Sequence, residues 1–199
     1  MSHREIMQWD AGKAHVLDAP ERERDMPAAK VIELLSVDGS ETVIDYGAGT
    51  GRLALAAAHR MAPRGRVIAI EDSSEMFHLL SERLAGIACA EPMLIEGDDV
   101  PLPDKTADRI LAVDVLHHIR PGTLAEMRRL LAPDGLLLMI DWERGHSREG
   151  GPPDGVLLTP TQAIRELAAS GLQAHLVESP FDHRYVLIAS AERCGWERA

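Results

Sequence analysis

The chain has 199 residues, 45% of them hydrophobic, with 32 acidic against 21 basic side chains. That length suits one domain with a self-sufficient core. The net charge of −11 is spread along the chain with no basic patch, which argues against nucleic acid or an anionic membrane as partner. Cys89 and Cys194 are isolated cysteines, so a disulfide framework and a thiolate zinc site are excluded and a reducing compartment fits. The polar start MSHREIMQWDAGKAH lacks a secretory core, and apolar runs such as Leu136–Ile140 are far shorter than the ~18 residues of a membrane span. A soluble, cytoplasmic protein is expected.

Residues 1–25 are polar, irregular and broken by Pro20, and they read as a segment apart from a domain over residues 26–199. The apolar spacing from Met26 to Leu35 predicts a short amphipathic helix, ended by the Asp38-Gly39 turn. Strands and helices then alternate. Thr42–Tyr46 reads as a strand, Arg52–Met61 as a helix, and Arg66–Glu71 as a second strand. A helix over Ser74–Leu84 takes Ser73 or Ser74 as its N-cap. Pro92–Glu96 and Arg109–Asp114 are the third and fourth strands, Gly122–Leu131 a helix, and Leu136–Trp142 the fifth strand. A Gly/Pro-rich loop over 143–155 leads to a helix at Pro160–Ser170, stopped by Gly171. Leu172–Glu178 and Arg184–Ser190 complete the strands.

Short, unbroken apolar strands alternating with helices predict a mostly parallel sheet covered on both faces. The Ser179–His183 connection is too brief for a parallel crossover, so the last two strands should pair antiparallel. The fold class is α/β, a single doubly wound sheet.

The sharpest motif is Val43-Ile44-Asp45-Tyr46-Gly47-Ala48-Gly49-Thr50-Gly51, where the first strand meets its helix. Glycines there permit a tight turn and close approach of a ligand, and the helix start offers N–H donors. The spacing is GxGxG, with Arg52 where a dinucleotide fingerprint places its last glycine. Glu71 closes the second strand, placed to accept hydrogen bonds from both hydroxyls of a ribose. Asp98 follows the third strand, within reach of an adenine amino group.

With these residues in place, the sequence resembles class I S-adenosylmethionine-dependent methyltransferases. The likeness covers about residues 40–142, through VIDYGAGTG, VIAIEDSSEM, IEGDDVPLPDKTADRILAVDVLHHI and LLAPDGLLLMIDW. DVPLPDKTADRI is similar to a stretch of the ubiquinone/menaquinone C-methyltransferase-like group, and HVLDAPERERDMP to the start of an uncharacterised group within it. The resemblance implies seven strands with the last antiparallel, and S-adenosyl-L-methionine as cofactor with S-adenosyl-L-homocysteine as product. It implies that Gly47, Ala48, Gly49 and Gly51 line the methionyl part, with Asp45 near its ammonium. Glu71 would then hold the ribose, while Asp98 and the Asp99 backbone meet the adenine. Asp72 stands where the family places an apolar residue beside the adenine, and Met76 is the substitute. Asp114 to His117 would edge the methyl-transfer pocket.

Methyl transfer from a sulfonium needs alignment, exclusion of water and, for some acceptors, a base. His117 and His15 are the candidates, with His118, His183 and Tyr185 as possible substrate contacts. No HxxxH or HExxH spacing supports a metal. The fourth strand lacks the Asn/Asp-Pro-Pro-aromatic ending of nucleic-acid amino-methyltransferases, so the expected acceptor is a small molecule. Residues 9–26, including Trp9, His15, Asp18 and Arg22, form a candidate lid. Trp142 and the loop after it are a candidate pocket wall. The competing readings are a non-catalytic S-adenosylmethionine-binding module, an NAD(P)-dependent oxidoreductase, and an aminopropyl transferase using the decarboxylated cofactor.

Overall fold

In the computed structural model, the structure describes residues 12, 14–61, 63–119, 121–145 and 151–191. Trp9, Cys194 and residues 146–150 of the Gly/Pro-rich loop lie outside them. The strands are β1 (Thr42–Tyr46), β2 (Arg66–Glu71), β3 (Ala90–Leu94), β4 (Ala107–Val113), β5 (Leu131–Trp142), β6 (Gln173–Val177) and β7 (Arg184–Ser190). They form one seven-stranded sheet in the order β3-β2-β1-β4-β5-β7-β6. The first five pair in parallel, and β7 runs antiparallel to both β5 and β6. The short turn before β7 leaves no room for a crossover, and the reversed strand follows from that.

The helices are α1 (Ala14–Leu17), α2 (Pro20–Asp25), α3 (Ala28–Leu34), α4 (Arg52–Met61), α5 (Ser74–Leu84), α6 (Pro121–Leu130) and α7 (Pro160–Ala169). Successive strand residues point to opposite faces. Val43, Val67, Leu111 and Ile140 therefore pack with α3, α4 and α5, and Ile44, Ile68, Ile110 and Met139 pack with α6 and α7. Burial on both faces accounts for the unbroken apolar runs. Ser73 caps α5 through the Met76 N–H at 3.3 Å, and Thr159 with Gln162 forms a capping box on α7.

Several boundaries differ from the sequence reading. Residues 14–25 are two short helices rather than irregular chain, because Pro20 starts α2 at a first-turn position, where its missing N–H goes unneeded. The helix expected from Met26 begins at Ala28, with Pro27 as N-cap. The third strand begins at Ala90 and ends at Leu94, two residues earlier than expected at each end. The fourth begins at Ala107 and stops at Val113, leaving Asp114 outside it at φ 54°. Pairing of Leu131 with Ala107 draws β5 back through Pro133-Asp134-Gly135, across a register shift in β4. Here tertiary pairing overrides a local turn signal.

Ile110, on the central strand, is wholly buried. Ile110→Ala should destabilise the protein by about 2–5 kcal/mol. Urea titration should show a lower midpoint with an unchanged slope.

Candidate functional site

The chain leaves β1 toward β2 on one side and later crosses to β4 on the other. This reversal of strand order opens a crevice at the carboxyl ends of β1 and β4, the usual ligand position in an open α/β sheet. The glycine loop lies at its base. Gly47 and Ala48 N–H both donate to the Ile70 carbonyl at 2.9 Å, and Gly49 N–H donates to Glu71 Oε2 at 2.8 Å. These three donors pin the loop to β2. The glycines themselves are required by positive φ and by the side chains packed against them. Gly49 has φ 58°, and a Cβ there would lie 3.2 Å from Leu17 Cδ1 and 3.7 Å from Met76 Cε. Gly47, at φ 74°, would place a Cβ 2.6 Å from Val115 Cγ1.

Glu71 is buried, and its Oε1 accepts from the Asp72 and Ser73 N–H groups at 3.0 Å. Burial raises its pKa, opposed by the N–H groups of Ser73 and Gly49. Asp72 is exposed, whereas Met76 is buried beside Gly49, so Met76 is the apolar group at this edge. Asp98 accepts from Thr123 Oγ1 at 2.8 Å and abuts Gly122, which places its carboxylate at the start of α6. Asp99 is exposed.

Asp45 is 2% exposed, and its Oδ2 has no hydrogen-bond partner among the described residues. Desolvation pushes its pKa up to about 7, against the Ala54 N–H and the charge of Arg52, with Glu71 adding repulsion. An orphaned buried acceptor beside the glycine loop fits a ligand carrying an ammonium group.

On the acceptor side, Asp114 is gripped by Arg22 Nη2 at 3.0 Å and by Arg184 Nε at 3.2 Å. Burial works to raise its pKa, but these guanidinium groups and His117 outweigh it and hold the carboxyl below the ordinary range. The Arg184 guanidinium also lies 3.6 Å from the centroid of the Trp142 ring. His117, 3% exposed, places Nδ1 3.0 Å from Oδ1 of the equally buried Asp141. Trp142 N–H donates to the same oxygen at 2.7 Å. A carboxylate only accepts, so Nδ1 carries the proton and Nε2 is the basic nitrogen. The His118 ring lies against that of His117, 4.1 Å between centroids and tilted by 46°.

The N-terminal helices reach this crevice at several points. Asp18 accepts from both terminal nitrogens of Arg83 at 2.8 Å and from Thr50 Oγ1 at 2.9 Å. Glu23 pairs with Arg52 at 2.5 Å, Arg22 holds Asp114, and Leu17 sits over Gly49. His15 is exposed on α1, and among the described residues no hydrogen bond joins it to the crevice, so it does not share the setting of His117. His183 is exposed before β7, and Tyr185 is buried within it. Arg184, Arg83 and the hydrogen-bonded pairing of Asp141 with His117 escaped the sequence reading. For Asp141 and Arg184 the signal was a charged residue in an apolar strand, and Arg83, within α5, carried none.

Comparison with known proteins agrees with this geometry. A family model described as a methyltransferase domain matches residues 43–135. The ubiquinone/menaquinone biosynthesis C-methyltransferase UbiE of Bordetella avium is 33% identical over 105 residues, covering 51% of this chain and 41% of that protein. An uncharacterized methyltransferase of Mycobacterium bovis is 30% identical over 134 residues, covering 66% of this chain and 52% of its own length. The chain therefore spans about half, or less, of the curated relatives it matches. The crystal structure of a SAM-dependent methyltransferase from Aquifex aeolicus has a TM-score of 0.86 and 26% identity, covering 93% of this chain and 100% of that one. The fold is the class I S-adenosylmethionine-dependent methyltransferase architecture. Residues 43–135 are similar to a methyltransferase domain, and the likeness to these proteins implies S-adenosylmethionine as cofactor.

Asp45→Asn should stabilise the ligand-free protein, because the amide is neutral and still accepts from Ala54. The folded pKa lies above the unfolded one, so the wild type loses stability as pH rises from about 4 to about 7. The advantage of Asn over Asp should widen across that window and level off above it, reaching about 1–3 kcal/mol. Urea melts at pH 4, 6 and 8 measure this, and a gap independent of pH contradicts the assignment.

Proposed function

We propose that this protein transfers the methyl group of S-adenosylmethionine to a small molecule that loses a proton in the reaction. The observation that carries the reading is the buried, partnerless Oδ2 of Asp45 beside the glycine loop, inside the segment matched by the methyltransferase model. Bound S-adenosylmethionine supplies a sulfonium-activated methyl group. Glu71 keeps lone pairs for ribose hydroxyls beyond the N–H groups it already accepts, and Met76 gives the adenosyl side an apolar contact. Asp98 and the Asp99 backbone are the adenine contacts that this reading assigns.

His117 acts as the base. Asp141 holds Nδ1–H and stabilises the imidazolium that forms when Nε2 takes a proton. A base of this kind suits a hydroxyl or an activated C–H acceptor, and the printed name of the Bordetella relative, a C-methyltransferase, is compatible with that class. Trp142, with Arg184 stacked on it, forms the wall of the acceptor pocket, and Asp114 fixes Arg184 in place. Residues 14–25 act as a lid that excludes water, latched by Asp18, Arg22 and Glu23. Positioning and exclusion of water account for most of the rate in such a displacement, at roughly 7–11 kcal/mol.

Among the described residues no helix is long and apolar enough to cross a membrane. A cytoplasmic location fits the sparse cysteines, and the acidic surface disfavours a nucleic-acid substrate. An NAD(P) oxidoreductase fits less well, because Arg52 replaces the third fingerprint glycine and β7 is inserted antiparallel between β5 and β6. A non-catalytic binding module would have no use for a buried His117–Asp141 pair.

Calorimetry should show binding of S-adenosylhomocysteine but not of NAD(H), with Glu71→Ala weakening it by about 1.5–3 kcal/mol. With labelled cofactor and a panel of phenolic and carbonyl-activated acceptors, His117→Ala should lose transfer while retaining that binding. Hydrogen exchange over residues 14–25 should slow when S-adenosylhomocysteine is added; unchanged exchange contradicts the lid.

A further inference from the structure

A single carboxylate stands between two guanidinium groups on the acceptor side of the crevice. Asp114 Oδ2 accepts from Arg22 Nη2 at 3.0 Å and from Arg184 Nη2 at 3.3 Å, and its Oδ1 accepts from Arg184 Nε at 3.2 Å. The side chains of Arg22, Asp114 and Arg184 are only 17%, 8% and 3% exposed, so water does little to screen them. Among the described residues, Asp114 accepts every side-chain hydrogen bond that the two arginines donate. Two positive charges therefore share one negative charge, and N–H groups are left over on both forks.

Hydrogen bonds and strand pairing tie this cluster to His117. Asp114 N–H donates to the Ile140 carbonyl at 2.8 Å, and the next residue, Asp141, holds His117 Nδ1. Trp142 pairs across the sheet with Arg184 and lies against its guanidinium. The base and both arginines thus meet at the carboxyl ends of β4 and β5. Asp141 is the other buried acid there, and its hydrogen bonds go to His117 and the Trp142 N–H rather than to either arginine.

We infer that Arg22 and Arg184 set specificity for a methyl acceptor that carries a carboxylate, bound by the N–H groups that Asp114 leaves over. The inference rests on the methyl-transfer reading above and deepens it by naming the charge of the acceptor. A guanidinium is a rigid planar fork of donors matched to a carboxylate. The surplus is one positive charge, which balances a monoanion, whereas a phosphate monoester near neutral pH overfills it. Arg184 is held on its face by Trp142 and on its edge by Asp114, so little side-chain freedom is lost on binding. Arg22 belongs to α2, so the N-terminal segment closes on the acceptor by charge as well as by shape.

The test is calorimetry on the full chain saturated with S-adenosylhomocysteine. The probes are 3-hydroxybenzoate and 4-hydroxybenzoate, the carboxamide of each, and phenyl phosphate. Wild type should bind at least one acid about tenfold or more tightly than its amide, the scale of one charge-assisted hydrogen bond, and phenyl phosphate more weakly than that acid. Arg22→Gln should cut the preference for the acid to within about twofold while changing affinity for the amide by less than about twofold. Arg22→Lys should recover part of the preference.

Saturation with S-adenosylhomocysteine but equal affinity of wild type for acid and amide overturns the inference and leaves the methyl-transfer reading standing. That comparison needs no variant. Absence of binding by both acids, or tighter binding of phenyl phosphate, also overturns it. So does an equal loss for acid and amide in Arg22→Gln, because Arg22 would then act only by closing the lid. If wild type does not bind S-adenosylhomocysteine, the cofactor reading fails and this inference fails with it.

Discussion

The carboxylate of Glu71 is the joint on which the site depends. One oxygen takes the Gly49 N–H and the other takes the N–H groups of Asp72 and Ser73. A single side chain thereby ties the end of β2 to the glycine loop after β1 and to the start of α5. Each segment is a turn whose backbone donors find no acceptor within a helix or strand, and a charged acceptor satisfies them more strongly than a neutral one. With the loop held this way, Met76 approaches Gly49 and the crevice between β1 and β4 keeps a defined floor.

Around that floor, charged groups divide by whether the protein satisfies them. Asp114 has two arginines, Asp141 has His117 and the Trp142 N–H, and Asp18 has Arg83 and Thr50. Asp45 and Arg52 are left partly unmet. A neutral, fully bonded cluster stabilises a fold, whereas an orphaned charge destabilises it and is retained where a ligand supplies the missing partner. Stability and binding pull in opposite directions at Asp45, and the amide substitution there separates the two.

Most of the frame was legible in the chain. The strand at Thr42–Tyr46, the helix at Arg52–Met61, the strand at Arg66–Glu71 and the strand at Arg184–Ser190 stand where apolar periodicity and caps place them. The short turn before Arg184 carried the antiparallel ending. The glycine loop and Glu71 were legible because a strand–loop–helix junction and a strand-terminal acid keep their spacing in sequence. Pro20 misled, since a proline signals either a break or a helix start, and only the following chain decides which.

The sequence by itself determined the sheet, its reversed strand, the glycine loop and the acid after β2, because these depend on local spacing and on the alternation of buried faces. Tertiary structure decided which charges meet. Arg22 reaches Asp114 across 92 positions, Arg83 reaches Asp18 across 65, and Asp141 reaches His117 across 24. No periodicity links such pairs. They exist because parallel strands bring their carboxyl ends to one edge and the N-terminal helices fold back over it. Among the described residues, the same folding left one atom of each flanking charge, Asp45 Oδ2 and Arg52 Nη2, without a partner on either side of the glycines.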